Sequence, residues 1–241
     1  MLPGTNLSRI IARTDPDWIC IDTEHGNISD SAMHESVAAV AATGVSPVVR
    51  IAANETWMVK RALDAGAHGI IVPLLYTVDD AKKLVSSAKF PPQGSRGFGS
   101  PFPMEKFRTN DSEGVSQTEY LQQANEALIT VVQIETKEAL ANVEDIAAVD
   151  GVDVLLIGPF DLGNNIGYPI LTGSMHEELK NAIAKIHDAA TKAGKRTGIY
   201  CTSGEQAREY ASKGFHMISA VTDVAILSQA CAGALKAARG S

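Results

Sequence analysis

Cysteine is scarce. The 241 residues contain only Cys20, Cys201 and Cys231. Their odd number and wide spacing argue against a disulfide framework and fit a reducing compartment. No apolar run approaches the roughly 20 residues that cross a bilayer. The longest, Gly69–Leu75 and Val152–Phe160, have the length of buried strands. Polybasic runs and basic amphipathic stretches are also missing, and the formal net charge is −7. Nucleic acid and membrane surfaces are therefore not expected partners. The N-terminus lacks the charged-then-apolar pattern of a secretory signal, so the cytoplasm is the expected location. Low-complexity segments, long linkers and abrupt shifts of composition are absent too, and one domain spanning 1–241 is expected.

What is present is an alternation. With 45% hydrophobic and 20% charged residues the chain can build a sizeable core. Short β-rich runs occur at Trp18–Asp22, Pro47–Ile51, Gly69–Leu74, Ile129–Ile134, Val154–Ile157, Arg196–Tyr200 and His216–Ser219. Helical patterns lie between and after them at Ser31–Thr43, Thr56–Ala65, Val78–Lys89, Lys137–Ala148, His176–Ala193, Ser203–Lys213 and Val224–Ala238. Asp30 and Ser203 stand where N-caps belong, and Gly44, Gly66, Gly194 and Gly214 where helices should stop. The strands lack polar alternation, as expected when both faces are covered. This repetition predicts an α/β fold with a parallel sheet.

Seven strands are visible, whereas a closed (β/α)8 TIM barrel needs eight. Leu7–Thr14 reads as a helix leading into the Trp18 strand, so a first strand should precede it. Either "MLPGTN" is a short remnant of that strand or the natural chain extends further. The preferred reading is a barrel with a short or truncated first strand, and an open seven-stranded sheet is the alternative. Phe90–Glu119 interrupts the rhythm as a long loop, which in a compact domain is functional or mobile. Its "GSRGFG" lacks the strand before and the helix after that a dinucleotide loop requires.

In such barrels chemistry sits at the C-terminal ends of the strands. Those ends offer Asp22, Glu24 and His25 in "CIDTEHG", Arg50 in "SPVVRI", Gln133 and Glu135 in "ITVVQIET", and Asp161 in "VLLIGPFDLG". Glu135 and Asp161 are 26 residues apart, about one strand–helix–strand repeat, which places them on neighbouring strands. Two carboxylates that close call for a cation between them. Hard oxygen ligands suit Mg2+, with Mn2+ or Co2+ as alternatives. The competing reading is that Glu135 caps a helix and Asp161 a turn.

The ordered set "DWICIDTEHG", "PVVRI", "VQIET" and "LLIGPFDLGNNIGYP" resembles the HpcH/HpaI aldolases, a family related to citrate lyase β chains. The likeness runs from about Asp17 to Asp223 and includes "PPQGSRGFG" and "GFHMISAVTD". It implies a (β/α)8 barrel and a class II, metal-dependent pyruvate aldolase with Glu135 and Asp161 as metal ligands. A 2-oxo acid would chelate the ion and react with an aldehyde through a pyruvate enolate, without a Schiff-base lysine. None of the predicted strand ends carries a lysine. By the same resemblance His25 is the acid–base residue, Asp22 would hold its ring in one tautomer, and Arg50 would face developing charge on the substrate oxygen. A structural ion pair to Glu24 or Asp22 is the alternative for Arg50. Gln133 would meet substrate or a metal-bound water, with core packing as its alternative. Gly158, Phe160 and Asp161 open a helix start that would receive the pyruvate carboxylate. Phe160 departs from the small residue common in bacterial relatives and would narrow the pocket or stack on a bulky acceptor. Asp64 matches an acid that approaches a neighbouring subunit's site.

Homo-trimers or homo-hexamers are implied, with helix Val224–Ala238 on a neighbour or closing its own barrel. Expected substrates resemble 4-hydroxy-2-oxo diacids or 2-keto-3-deoxy sugar acids. The alternatives are an oxaloacetate decarboxylase or macrophomate synthase-like enzyme using the same enolate, and a catalytically silent barrel that binds 2-oxo acids.

Overall fold

The computed structural model describes residues 1–103 and 116–240. Part of the expected loop Phe90–Glu119 therefore lies outside the described residues. Seven parallel strands follow one another in sequence order: β1 (Trp18–Asp22), β2 (Ser46–Arg50), β3 (Gly69–Val72), β4 (Ile129–Ile134), β5 (Val154–Ile157), β6 (Arg196–Tyr200) and β7 (Met217–Ser219). Each pairs with the next in register, for example Asp22 with Arg50 and Gln133 with Leu156. The sheet curls. Val48, Ile71, Val131, Val154, Leu156 and Met217 form one buried cluster, against which Trp18 and Cys20 pack. Side chains from the first and last strands meet only if the sheet bends back on itself. The alternate residues, among them Ile21, Val49, Ile70, Val132, Leu155 and Ile199, face outward into a larger core shared with the helices. Both faces are apolar, which explains the continuous β-branched runs.

The helices are α1 (Thr5–Ala12), α2 (Asp30–Ala41), α3 (Thr56–Asp64), α4 (Val78–Ala88), α5 (Gln117–Ala127), α6 (Lys137–Ala141), α7 (Val143–Ala147), α8 (Pro159–Asn165), α9 (Glu177–Lys192), α10 (Gly204–Ser212) and α11 (Asp223–Arg239). Gly44, Gly66, Gly194 and Gly214 all have positive φ and end helices as expected. Ser203 caps α10, accepting from the Gln206 N–H. At α2 the cap is Ser29 rather than Asp30, because Asp30 turns outward to Arg61.

Three further expectations need correction. The helix over Lys137–Ala148 is two short helices, because Asn142 leaves helical geometry and its amide bonds the carbonyls of Glu138 and Tyr76. Helix α5 forms where the sequence pattern predicts no element. "MLPGTN" forms no strand. The Met1 ammonium and Leu2 N–H instead bond Asp223 Oδ2 at 3.1 and 2.7 Å, and Met1 O accepts from the Asn27 N–H. Those terminal groups serve the turns after β1 and β7 rather than a ladder. Among the described residues no strand joins β1 to β7. Helix α11 buries none of its residues, with Val224, Ile226, Leu227 and Leu235 exposed, so it does not close its own barrel. No helix among the described residues is long and apolar enough to cross a membrane.

Candidate active site

Strand parity sends Asp22, Arg50, Gln133 and Tyr200 into the C-terminal mouth of the curled sheet, on the same face as the interior cluster. Asp22 and Arg50 lie side by side in the β1–β2 register. Arg50 donates from Nε to Asp22 Oδ1 at 3.0 Å and from Nη2 to Oδ2 at 2.7 Å. Asp22 Oδ1 also accepts from the backbone N–H groups of Glu24 and His25. Burial alone would raise the Asp22 carboxyl. The Arg50 bonds and charge outweigh it and hold the group below the usual carboxylate range. Burial would lower Arg50, and Asp22 reverses that shift. The guanidinium is thus fixed in one orientation.

The acid nearest the His25 ring is Glu24, not Asp22. Glu24 Oε2 stands 3.5 Å from His25 Nε2 and 3.3 Å from Arg50 Nη1. Asp22 meets His25 only at its backbone. The His25 side chain is half exposed. Burial raises the Glu24 carboxyl, and the positive charge of Arg50 offsets this only in part. Its Oε2 is a buried atom without a well-formed hydrogen bond.

Glu135 follows β4 and is 1% exposed. Its Oε1 accepts from the Leu74 N–H at 2.8 Å, and its Oε2 from Gln133 Nε2. Leu74 has φ 49°, a left-handed conformation unusual for leucine, and this turn brings its N–H to the carboxylate. Burial pushes the Glu135 carboxyl upward. The two hydrogen bonds oppose that rise, and the charges of Asp161 and Glu24 add to it. Asp161, on the first turn of α8, is exposed and among the described residues makes no side-chain hydrogen bond or ion pair. Gln133 Oε1 is buried and lacks a partner. At Gly158 any Cβ would overlap Glu135 Oε2 and crowd Gln133 Nε2.

These features fit a hard divalent cation. Two carboxylates raise each other's proton affinity or share a positive ion, and nothing else in the described residues neutralises the Glu135–Asp161 pair. No group of three or more His, Cys, Asp and Glu side chains is placed to hold an ion among the described residues. The remaining positions would go to water or substrate oxygens.

Phe160 is 42% exposed and meets the half-buried Tyr200 edge-to-face, with ring centroids 6.1 Å apart. Tyr200 ends β6 without the charged group that marks the other site strands in the sequence. Leu74 was missed because its contribution is a backbone N–H. Asp64 is not in this mouth. It lies at the far end of α3 and accepts from the buried Arg96 Nη2 at 2.9 Å.

A curled parallel α/β sheet with charged groups ringed on its C-terminal edge is the arrangement found in TIM-barrel enzymes. The HpcH/HpaI aldolase/citrate lyase family model matches residues 2–230. The chain belongs to that family. It is 37% identical over 238 residues to a hydroxypyruvate/pyruvate aldolase of Rhizorhabdus wittichii, covering 99% of this chain and 91% of the relative. A solved HpcH/HpaI aldolase/citrate lyase family protein of Burkholderia cenocepacia J2315 superposes with TM-score 0.86 at 33% identity, over 98% and 91% of the two chains. Macrophomate synthase superposes with TM-score 0.87 at 28% identity, over 99% of this chain and 82% of that one.

Proposed function

We propose that this chain is a divalent-metal-dependent aldolase that makes or breaks a carbon–carbon bond of a 2-oxo acid, with pyruvate as the donor half. The carrying observation is the buried, hydrogen-bonded Glu135 facing the unneutralised charge of Asp161. These two residues would hold the cation. When bound it supplies a Lewis acid to the carboxylate and keto oxygens of the substrate.

The remaining work falls to side chains. Gln133 Oε1 and Arg50 orient the 2-oxo acid, and Arg50 lies beside the oxygen on which negative charge grows. Because Asp22 already clamps its guanidinium, little reorganisation accompanies that charge. His25 takes the proton from the hydroxyl in cleavage and returns one in synthesis, a task suited to an imidazole, whose ring nitrogens can both accept and donate a proton. Glu24 steadies the imidazole. Asp22 acts through Arg50 and through the backbone of the His25 turn.

Pyruvate release from a 4-hydroxy-2-oxo acid, followed with and without EDTA and in Glu135→Ala and Asp161→Ala, tests this reading. Activity indifferent to all three treatments would reject it. Oxaloacetate decarboxylation is the second reading, supported by Phe160 in the mouth and by the likeness to macrophomate synthase. Comparing pyruvate formation from oxaloacetate and from hydroxy-oxo acids separates the two.

Assembly into a homo-trimer or homo-hexamer is part of the proposal. It rests on α11, whose apolar side chains have no cover of their own. Asp64 would then serve a neighbour's mouth. A cytoplasmic location accords with the unpaired cysteines.

A further inference from the structure

Resting on the aldolase reading, we propose that the acceptor is an aldehyde with an uncharged aromatic or bulky apolar substituent, held by Phe160 and Tyr200. The mouth is divided. One side, at the ends of β1 and β2, is ionic: Asp22, Glu24, His25 and Arg50 bond one another there. The other, after β5 and β6, is the Phe160–Tyr200 pair. Further exposed apolar side chains occur on other turns of the same edge, Leu74 and Tyr76 after β3 and Val221 after β7. An acceptor placed beside a donor on Glu135 and Asp161 has these two walls to choose from.

Charge decides against an acidic acceptor. The turns between each strand of β1–β7 and the helix that follows it contain no lysine and no arginine. Arg50, which ends β2, already faces two carboxylates with its guanidinium. A second carboxylate on the aldehyde would meet the negative charge of Glu24 and Asp161. An apolar substituent meets ring edges and faces instead, where aromatic contacts are favourable. The Tyr200 hydroxyl makes no hydrogen bond among the described residues, so the ring is not tied away from the mouth.

The reaction balances without an oxidant or reductant. A C–H bond of the pyruvate methyl breaks and its proton leaves. The carbon forms a bond to the aldehyde carbon, whose oxygen takes up a proton.

The test compares benzaldehyde with succinic semialdehyde as acceptors for pyruvate, using the full chain and Mg2+. The wild type should favour benzaldehyde by about tenfold or more in kcat/KM. That preference should fall about tenfold in Phe160→Ala and in Tyr200→Leu, and stay within about twofold in Tyr200→Phe. Saturation-transfer NMR without added cation gives a second readout. Benzyl alcohol, an unreactive stand-in, should receive saturation from the wild type, and succinate should not. A wild-type preference for the semialdehyde, a preference unmoved in both truncations, or transfer to succinate alone overturns the inference. Deuterium exchange into the pyruvate methyl, with no aldehyde present, separates the two levels. Exchange with the wrong acceptor preference sinks this inference only. Loss of exchange sinks the aldolase reading and this inference with it.

Discussion

Gly158 lacks a side chain where Glu135 needs room: its missing Cβ would stand on Glu135 Oε2. The glycine is therefore steric, since its φ of −95° is open to any residue. Gly158→Ala should push Glu135 off its bonds with Leu74 and Gln133. Catalytic efficiency and metal affinity should each fall about 10–100-fold, with the fold retained. Steady-state kinetics and calorimetric titration with Mn2+ check this. An alanine variant with wild-type affinity would show that the carboxylate can move without consequence.

Added Mg2+ should stabilise the EDTA-treated wild type. At one hundred times its dissociation constant the gain is about 2.7 kcal/mol, visible as a rise in Tm. Glu135→Gln and Asp161→Asn should each lose most of that rise. Equal shifts in all three proteins would place the cation elsewhere.

Acid should dissolve the Asp22–Arg50 clamp. The Asp22 carboxyl lies below its ordinary range, so its stabilisation is complete above the unfolded value of about 3.9 and is lost as pH falls through the lower folded value. Thermal melts of the wild type and Asp22→Asn should thus differ most near neutral pH and converge in acid. A gap that widens on acidification would contradict the pairing.

Helix α11 offers a test of assembly. Leu227→Asp with Leu235→Asp should convert the proposed trimer or hexamer to smaller species, measured by light scattering with size-exclusion chromatography. Both leucines are exposed within this chain, so intramolecular stability should change by less than about 0.5 kcal/mol. An unchanged mass would remove α11 from any interface.

The strands were legible because parallel strands covered on both faces carry unmistakable β-branched runs, such as Ile129–Ile134. The charged strand ends were legible because Asp22, Arg50 and Glu135 each sit where an apolar run stops. An ion pair of Arg50 with Asp22 or Glu24 was legible too, but not that both form, nor the other partners these groups choose. Asp22 and Glu24 are two residues apart on one turn, and only coordinates show which of them meets the His25 ring. Ser29 and Asp30 are both good caps, and Arg61 from another helix decides between them. Asn142 splits a helix through side-chain bonds that periodicity does not register. Leu74 contributes through a backbone angle that residue type conceals.

The interior beneath the mouth is stoppered by Val48, Ile71, Val131, Leu156 and Met217. These side chains fill the inside of the curl, so on the proposed reading both reactants come in from its C-terminal edge. Of the groups proposed to hold the two reactants, Glu135 lies deepest at 1% exposed, whereas Phe160 is 42% exposed. On the proposed aldolase reading pyruvate should accordingly arrive first in synthesis and depart last in cleavage. Excess aldehyde, by occupying the threshold early, would obstruct its own reaction.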